Sequence, residues 1–75
     1  MSEQQDRPIW ARGLDDRTYD LALRGQFAVV AAAEYAGVSD KTIRKLINTG
    51  ALEAKRIGNG FRIQKSSLDA YFGLS

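Results

Sequence analysis

The chain has 75 residues, 44% of them hydrophobic, carries a net charge of +2, and contains neither cysteine nor histidine. That is enough apolar material for one small domain without a large internal cavity, and it excludes a disulfide framework, thiolate or imidazole metal sites and the commonest general base. No apolar run approaches the roughly 20 residues that span a bilayer, and the polar start Met1-Ser2-Glu3-Gln4-Gln5-Asp6 does not read as a signal peptide; the expectation is a cytoplasmic binding module with no cofactor and no metal.

Residues 1–8 are polar, end at Pro8 and read as a flexible tail. Between residues 9 and 26 the apolar positions follow neither period cleanly. Asp15 or Asp16 is placed to cap a short helix over 16–24, with Gly25 as its stop and Trp10 or Tyr19 as an anchor covering one side of the core. The organisation predicted is therefore a tail with a short packing helix over 1–26 and a second unit over 27–75.

From Phe27 the signals sharpen. Val29 to Tyr35 is a helical run stopped by Gly37, which can supply the left-handed conformation that ends a helix. After Val38, Ser39 is a good N-cap for a second helix from Asp40 to Asn48, ended by Gly50. Asp40 in its first turn suits the positive end of the helix dipole. Two helices joined by Gly-Val-Ser make a helix-turn-helix connection.

After Leu52 the period changes. Glu53–Ile57 and Phe61–Gln64 flank Gly58-Asn59-Gly60, which predicts a two-stranded hairpin with a three-residue turn. Phe61 and Ile63 alternate cleanly with Arg62 and Gln64, whereas Ala54 and Ile57 are oddly spaced and call for a bulge or local twist. Ser66 or Ser67 is the expected cap of a last helix carrying Leu68, Tyr71 and Phe72 at helical spacing and ended by Gly73. The fold class is mainly α with a small β-hairpin.

Charge is uneven along this plan. Residues 1–26 carry five acids and four bases, net −1; residues 27–65 carry three acids and seven bases, net +4; residues 66–75 add only Asp69. A local positive excess suits a polyanion. With about 100° per residue and Ile43 at the origin, Leu46 falls at about 300° and Ile47 at about 40°, an apolar stripe. Arg44, Asn48, Lys41 and Lys45 fall between about 100° and about 200°, opposite the stripe and with no acid among them. Thr42 lies at the flank. Such a helix fits the major groove, where Lys41, Arg44 and Lys45 can reach guanine acceptors or phosphates and Asn48 can pair with adenine. Ser39 and the first amides of the helix can hold a phosphate. In the hairpin, Lys55, Arg56, Asn59 and Arg62 are candidates for the adjacent backbone or the minor groove. No carboxylate pair, nucleophile–base pair or phosphate-cradling glycine loop is present, so the chain does not read as an enzyme.

Phe27 to Phe72 resembles the excisionase-type DNA-binding domains of the MerR-like winged-helix superfamily. The blocks that carry the likeness are Ala32-Ala33-Glu34-Tyr35-Ala36-Gly37-Val38-Ser39, Thr42-Ile43-Arg44-Lys45-Leu46-Ile47-Asn48-Thr49-Gly50-Ala51-Leu52-Glu53-Ala54, Arg56-Ile57-Gly58, Phe61-Arg62-Ile63 and Leu68-Asp69-Ala70-Tyr71-Phe72. The resemblance implies a winged helix-turn-helix whose groove-facing residues are Lys41, Thr42, Arg44 and Lys45 and whose wing contacts are Arg56, Asn59 and Arg62. It also implies a DNA-bending accessory protein of a phage or mobile element in a prokaryotic cell, acting with an integrase as a recombination directionality factor and binding repeated sites head to tail. The alternative is a small MerR-type transcriptional regulator. Ala28-Val29-Val30-Ala31 is more apolar than the family pattern and is expected to pack on the N-terminal segment; Asp40 stands where a base is usual and weakens the positive field there. A protein-interaction adaptor is the reading from another class, distinguished by a flat response to salt.

Overall fold

In the computed structural model, which describes residues 7–74, a 3-10 turn over Ile9–Ala11 leads into helix α1, Asp16–Leu23. Of the two candidate caps it is Asp15 that serves. Its carboxylate accepts the Thr18 hydroxyl at 2.6 Å and the Thr18 amide at 3.3 Å, and these bonds hold it below the usual carboxylate range. The expected tail over 1–8 is corrected at Arg7, which is only 6% exposed. Its guanidinium donates to the carbonyls of Leu14 at 2.7 Å and Ala11 at 3.5 Å, pairs with Asp16, and lies 4.4 Å over the Tyr19 ring. A planar group with five donors meets the Leu14 carbonyl and shares the Ala11 carbonyl with the Leu14 amide, while Asp16 meets its charge. The rest of that expected tail, residues 1–6, lies outside the described residues.

The chain then turns at Gly25, in the left-handed region at φ +81°, and enters strand β1, Gln26–Phe27. Helix α2, Val29–Ala36, follows and ends at Gly37. Helix α3, Asp40–Asn48, is capped by Ser39 as expected, the Ser39 Oγ accepting the Thr42 amide at 3.1 Å. Strands β2, Lys55–Ile57, and β3, Gly60–Gln64, form the hairpin, and helix α4, Lys65–Phe72, closes the fold.

The sheet is three-stranded and antiparallel, in the order β1-β3-β2. Sequence reading finds only the hairpin, because a two-residue strand has no period to detect. Pairing of Gln26 with Gln64 and Phe27 with Ile63 makes β3 the shared central strand. The hairpin turn is also shorter than expected: Gly60 already pairs with Ile57, leaving Gly58-Asn59 as a two-residue loop. Gly58 has φ +59° and Asn59 does not have positive φ, the sign pattern of a type II′ turn with glycine at its first central position. No bulge is required. Ala54 lies before β2, so its odd spacing to Ile57 crosses a strand boundary, and the register Lys55–Arg62, Arg56–Phe61, Ile57–Gly60 is regular.

Helix α4 starts two or three residues earlier than its expected serine caps allow. Gln64 is the N-cap and offers no side-chain bond; the Lys65 amide instead donates to the Gly25 carbonyl at 2.9 Å. That bond ties the start of α4 to the turn before β1. Leu68 is fully buried and Phe72 half-buried, but Tyr71 is 48% exposed and lies edge-on to Phe72.

Helix α2 is the hub. Ala31, Ala32 and Ala33 are buried, and the lack of side-chain bulk lets the 3-10 turn, α3, β3 and α4 all approach it. The core unites Ala11, Leu14 and Ala22 with Phe27, Ile43, Leu52, Ile63 and Leu68. Trp10 and Tyr19 both serve as anchors: the Trp10 ring lies 6.4 Å from Tyr19, 5.6 Å from Phe27 and 5.1 Å from Tyr35, centre to centre. Residues 7–26 and 27–74 therefore contribute to one hydrophobic core.

Candidate nucleic-acid interface

Helix α3 presents two chemically distinct faces. Ile43 is fully buried and Leu46 and Ile47 pack partly buried on the core, the stripe expected from the wheel. Lys41, Arg44, Lys45 and Asn48 are exposed on the other side and line a shallow recess with Asp40 and Thr49. The ion pairs among the described residues are Arg7–Asp16, Arg24–Asp20 and Lys65–Asp69, so none uses a cation of α3 or of the hairpin. The positive charge of this surface is free to meet a polyanion.

Ser39 and Thr42 are exposed but engaged with each other. Their hydroxyls lie 3.0 Å apart, and Ser39 Oγ already accepts the Thr42 amide. Ser39 thus spends its acceptor on the cap and keeps its backbone position at the leading end of α3.

The hairpin comes round to meet that end. A cleft of about 230 Å³ is lined by Ala28, Val29 and Val30 at the start of α2, by Asp40 and Arg44, and by Asn59, Gly60, Phe61 and Arg62. Arg44, Asn59 and Arg62 are therefore brought together. The remaining two hairpin cations, Lys55 and Arg56, do not line this cleft. Lys55 pairs across the ladder with Arg62, so both side chains lie on the outward face, where they line a second depression with Gln26, Ile57 and Gln64. Arg56 pairs with Phe61 on the opposite face and holds its guanidinium 5.8 Å from that ring. Arg62 lines both depressions, and its Nη1 donates to its neighbour's carbonyl, Phe61 O, at 3.3 Å. The ribbon presents cations on both sides rather than on one.

Sequence reading misses the start of α2 as part of this surface. The apolar run Ala28-Val29-Val30-Ala31 was expected to pack on the N-terminal segment, and Val29 and Ala31 are indeed buried; Val30, however, is 43% exposed and faces the cleft. The signal is only the odd valine out in the α2 pattern. Among the described residues no helix is long and apolar enough to cross a membrane, and no group of three or more acidic, cysteine or histidine side chains is placed to hold a metal ion.

Residues 28–73, more than half of the chain, match the family model of a helix-turn-helix domain. The chain belongs to the helix-turn-helix domain family. Its architecture is that of a winged helix-turn-helix, with α2 and α3 as the two helices and β2–β3 as the wing, and it is a DNA-binding protein of that kind. No curated protein and no solved structure matches it. In this helix-turn-helix protein the family match begins at the N-cap of α2 and ends at the C-cap of α4. The 3-10 turn, α1 and β1 lie outside the match and extend the same core.

Proposed function

We propose that the protein docks α3 in the major groove of duplex DNA with its wing on the neighbouring backbone, and that it works as a DNA-bending accessory factor directing an integrase toward excision. The observation that carries the DNA contact is the cleft in which Arg44 of the helix and Asn59 and Arg62 of the wing converge, continuous through Arg44 with the unpaired cations Lys41 and Lys45. Lys41, Arg44, Lys45 and Asn48 reach base edges and phosphates. Ser39 and Thr42 lie at the groove's rim, and Lys55, Arg56, Asn59 and Arg62 follow the backbone on either side of the ribbon. The excisionase role is supported by the order of the residue blocks from Phe27 to Phe72. Copies binding side by side on repeated sites would bend the duplex cumulatively.

The test has two parts. Duplex binding should weaken steeply with salt, with a log–log slope of about −0.9 per neutralised phosphate; a flat response would favour a protein-binding adaptor. Adding the protein to its integrase and attachment-site DNA should then raise excision. Promoter repression with excision unchanged would instead assign it as a transcriptional regulator of MerR type.

A further inference from the structure

Asp40 lines both the recess along α3 and the cleft between α3 and the wing, whereas Glu53 lines only the outer depression with Lys55 and Arg62. It occupies the first turn of α3, the end that a recognition helix directs at base edges. It is exposed, and among the described residues its carboxylate forms neither a hydrogen bond nor an ion pair, although Arg44 stands one turn further along the same helix. A carboxylate there is repelled by every phosphate the surrounding cations attract. It can only accept hydrogen bonds. In the major groove the exocyclic amino groups of cytosine and adenine donate, while the guanine N7 and O6 and the thymine O4 repel it.

Resting on the DNA-binding reading above, we infer that Asp40 is a specificity residue: it accepts from the N4 amino group of a cytosine facing the leading end of α3 and penalises sites that offer no such donor. Arg44 then reads guanine from the same stretch of groove, so acid and base together select a mixed C and G contact. Repulsion from the wrong site is as much a part of this selection as attraction to the right one. A charge kept only to favour the helix dipole would carry no base preference.

The experiment selects duplexes from a randomised pool with the wild-type chain, Asp40→Ala and Asp40→Asn, then measures affinity for the winning duplex and for a scrambled one of equal length. The wild type should enrich cytosine at one position. Asp40→Ala should lose that enrichment alone, while binding the scrambled duplex about fivefold more tightly, the effect of removing one contact-distance repulsion in a wet interface. Asp40→Asn should move the preference at that position toward adenine, whose N6 and N7 an amide can pair. The inference is overturned if both variants gain equally on the two duplexes with enrichment unchanged, or if the wild type binds duplexes but enriches no cytosine. Failure of the wild type to bind any duplex at low salt would remove the DNA-binding reading itself, a different result.

Discussion

The Tyr35 hydroxyl donates to Asp69 Oδ1 across 2.6 Å, joining helix α2 to helix α4 over 34 positions of sequence. Lys65 donates to the other oxygen, Oδ2, at 2.8 Å and places its ammonium 5.8 Å from the Tyr35 ring centre. One carboxylate is thus shared by a phenol and an amine, and the pair fastens the hub helix to the last helix.

This arrangement predicts a pH profile. Hydrogen bonds from Lys65 and then Tyr35 hold the Asp69 carboxyl below the usual carboxylate range; the Asp69 bond in turn raises the Tyr35 phenol and the Lys65 ammonium above their usual values. A lowered acid contributes stability above its ordinary pKa and loses it as pH falls through the lowered value. The two raised groups contribute below their ordinary values and lose it as pH rises through the raised ones. The gap in thermal midpoint between the wild type and Asp69→Asn should therefore be widest between about pH 5 and pH 9 and should narrow at both ends. A gap constant with pH would refute the linkage.

Arg44 and Arg62 should separate by the kind of loss they cause. Arg44→Ala should weaken binding to a selected site by about 1–3 kcal/mol and relax preference at one base position, as expected for a bidentate guanine contact. Arg62→Ala should weaken all duplexes alike and reduce the salt slope by about 1. Gel-shift titrations over a series of salt concentrations read both numbers; equal, sequence-blind losses would mean that α3 touches backbone only.

The wing loop should be sensitive to one added methyl group. Gly58 has φ +59° and nothing within 4 Å of where a Cβ would stand, so a substitution there meets backbone strain without a clash. Gly58→Ala should destabilise the turn by about 1–2 kcal/mol and speed amide exchange at Ile57 and Gly60, with exchange in α2 unaffected. Uniform exchange rates across the variant would show that the turn is not where the strain falls.

The fragment 27–75 should lack a cooperative thermal transition that the whole chain shows. It removes Trp10, Ala11, Leu14 and Ala22 from the core and uncovers Phe27 and Tyr35. Calorimetry on the two chains decides this; equal midpoints would mean that the first 26 residues fold on the rest without supporting it.

The parts of this molecule legible in sequence are those with a repeating signal or a chemically marked end. The α3 stripe of Ile43, Leu46 and Ile47, the Ser39 and Asp15 caps, the Gly37 stop and the Phe61–Ile63 alternation all stand where the pattern puts them. What escaped depends on contacts between distant segments. Arg7 reads as tail until Leu14 and Asp16 are beside it; β1 is two residues long and exists through Ile63 and Gln64; α4 begins at Lys65, whose amide donates to the distant Gly25 carbonyl, ahead of either serine. In the interface, the wheel places the α3 cations outward, but only the ladder register shows that Arg56 and Arg62 leave the ribbon on opposite sides.

Strand β3 is shared: one edge carries the wing strand, the other the short strand that closes the N-terminal segment. It works as a lintel. On the proposed docking, a duplex pulling on the ribbon would pull on a beam bedded through Ile63 in the interior and paired on the far side with Phe27. Whatever grips the N-terminal segment would therefore share one strand with the proposed DNA-holding wing.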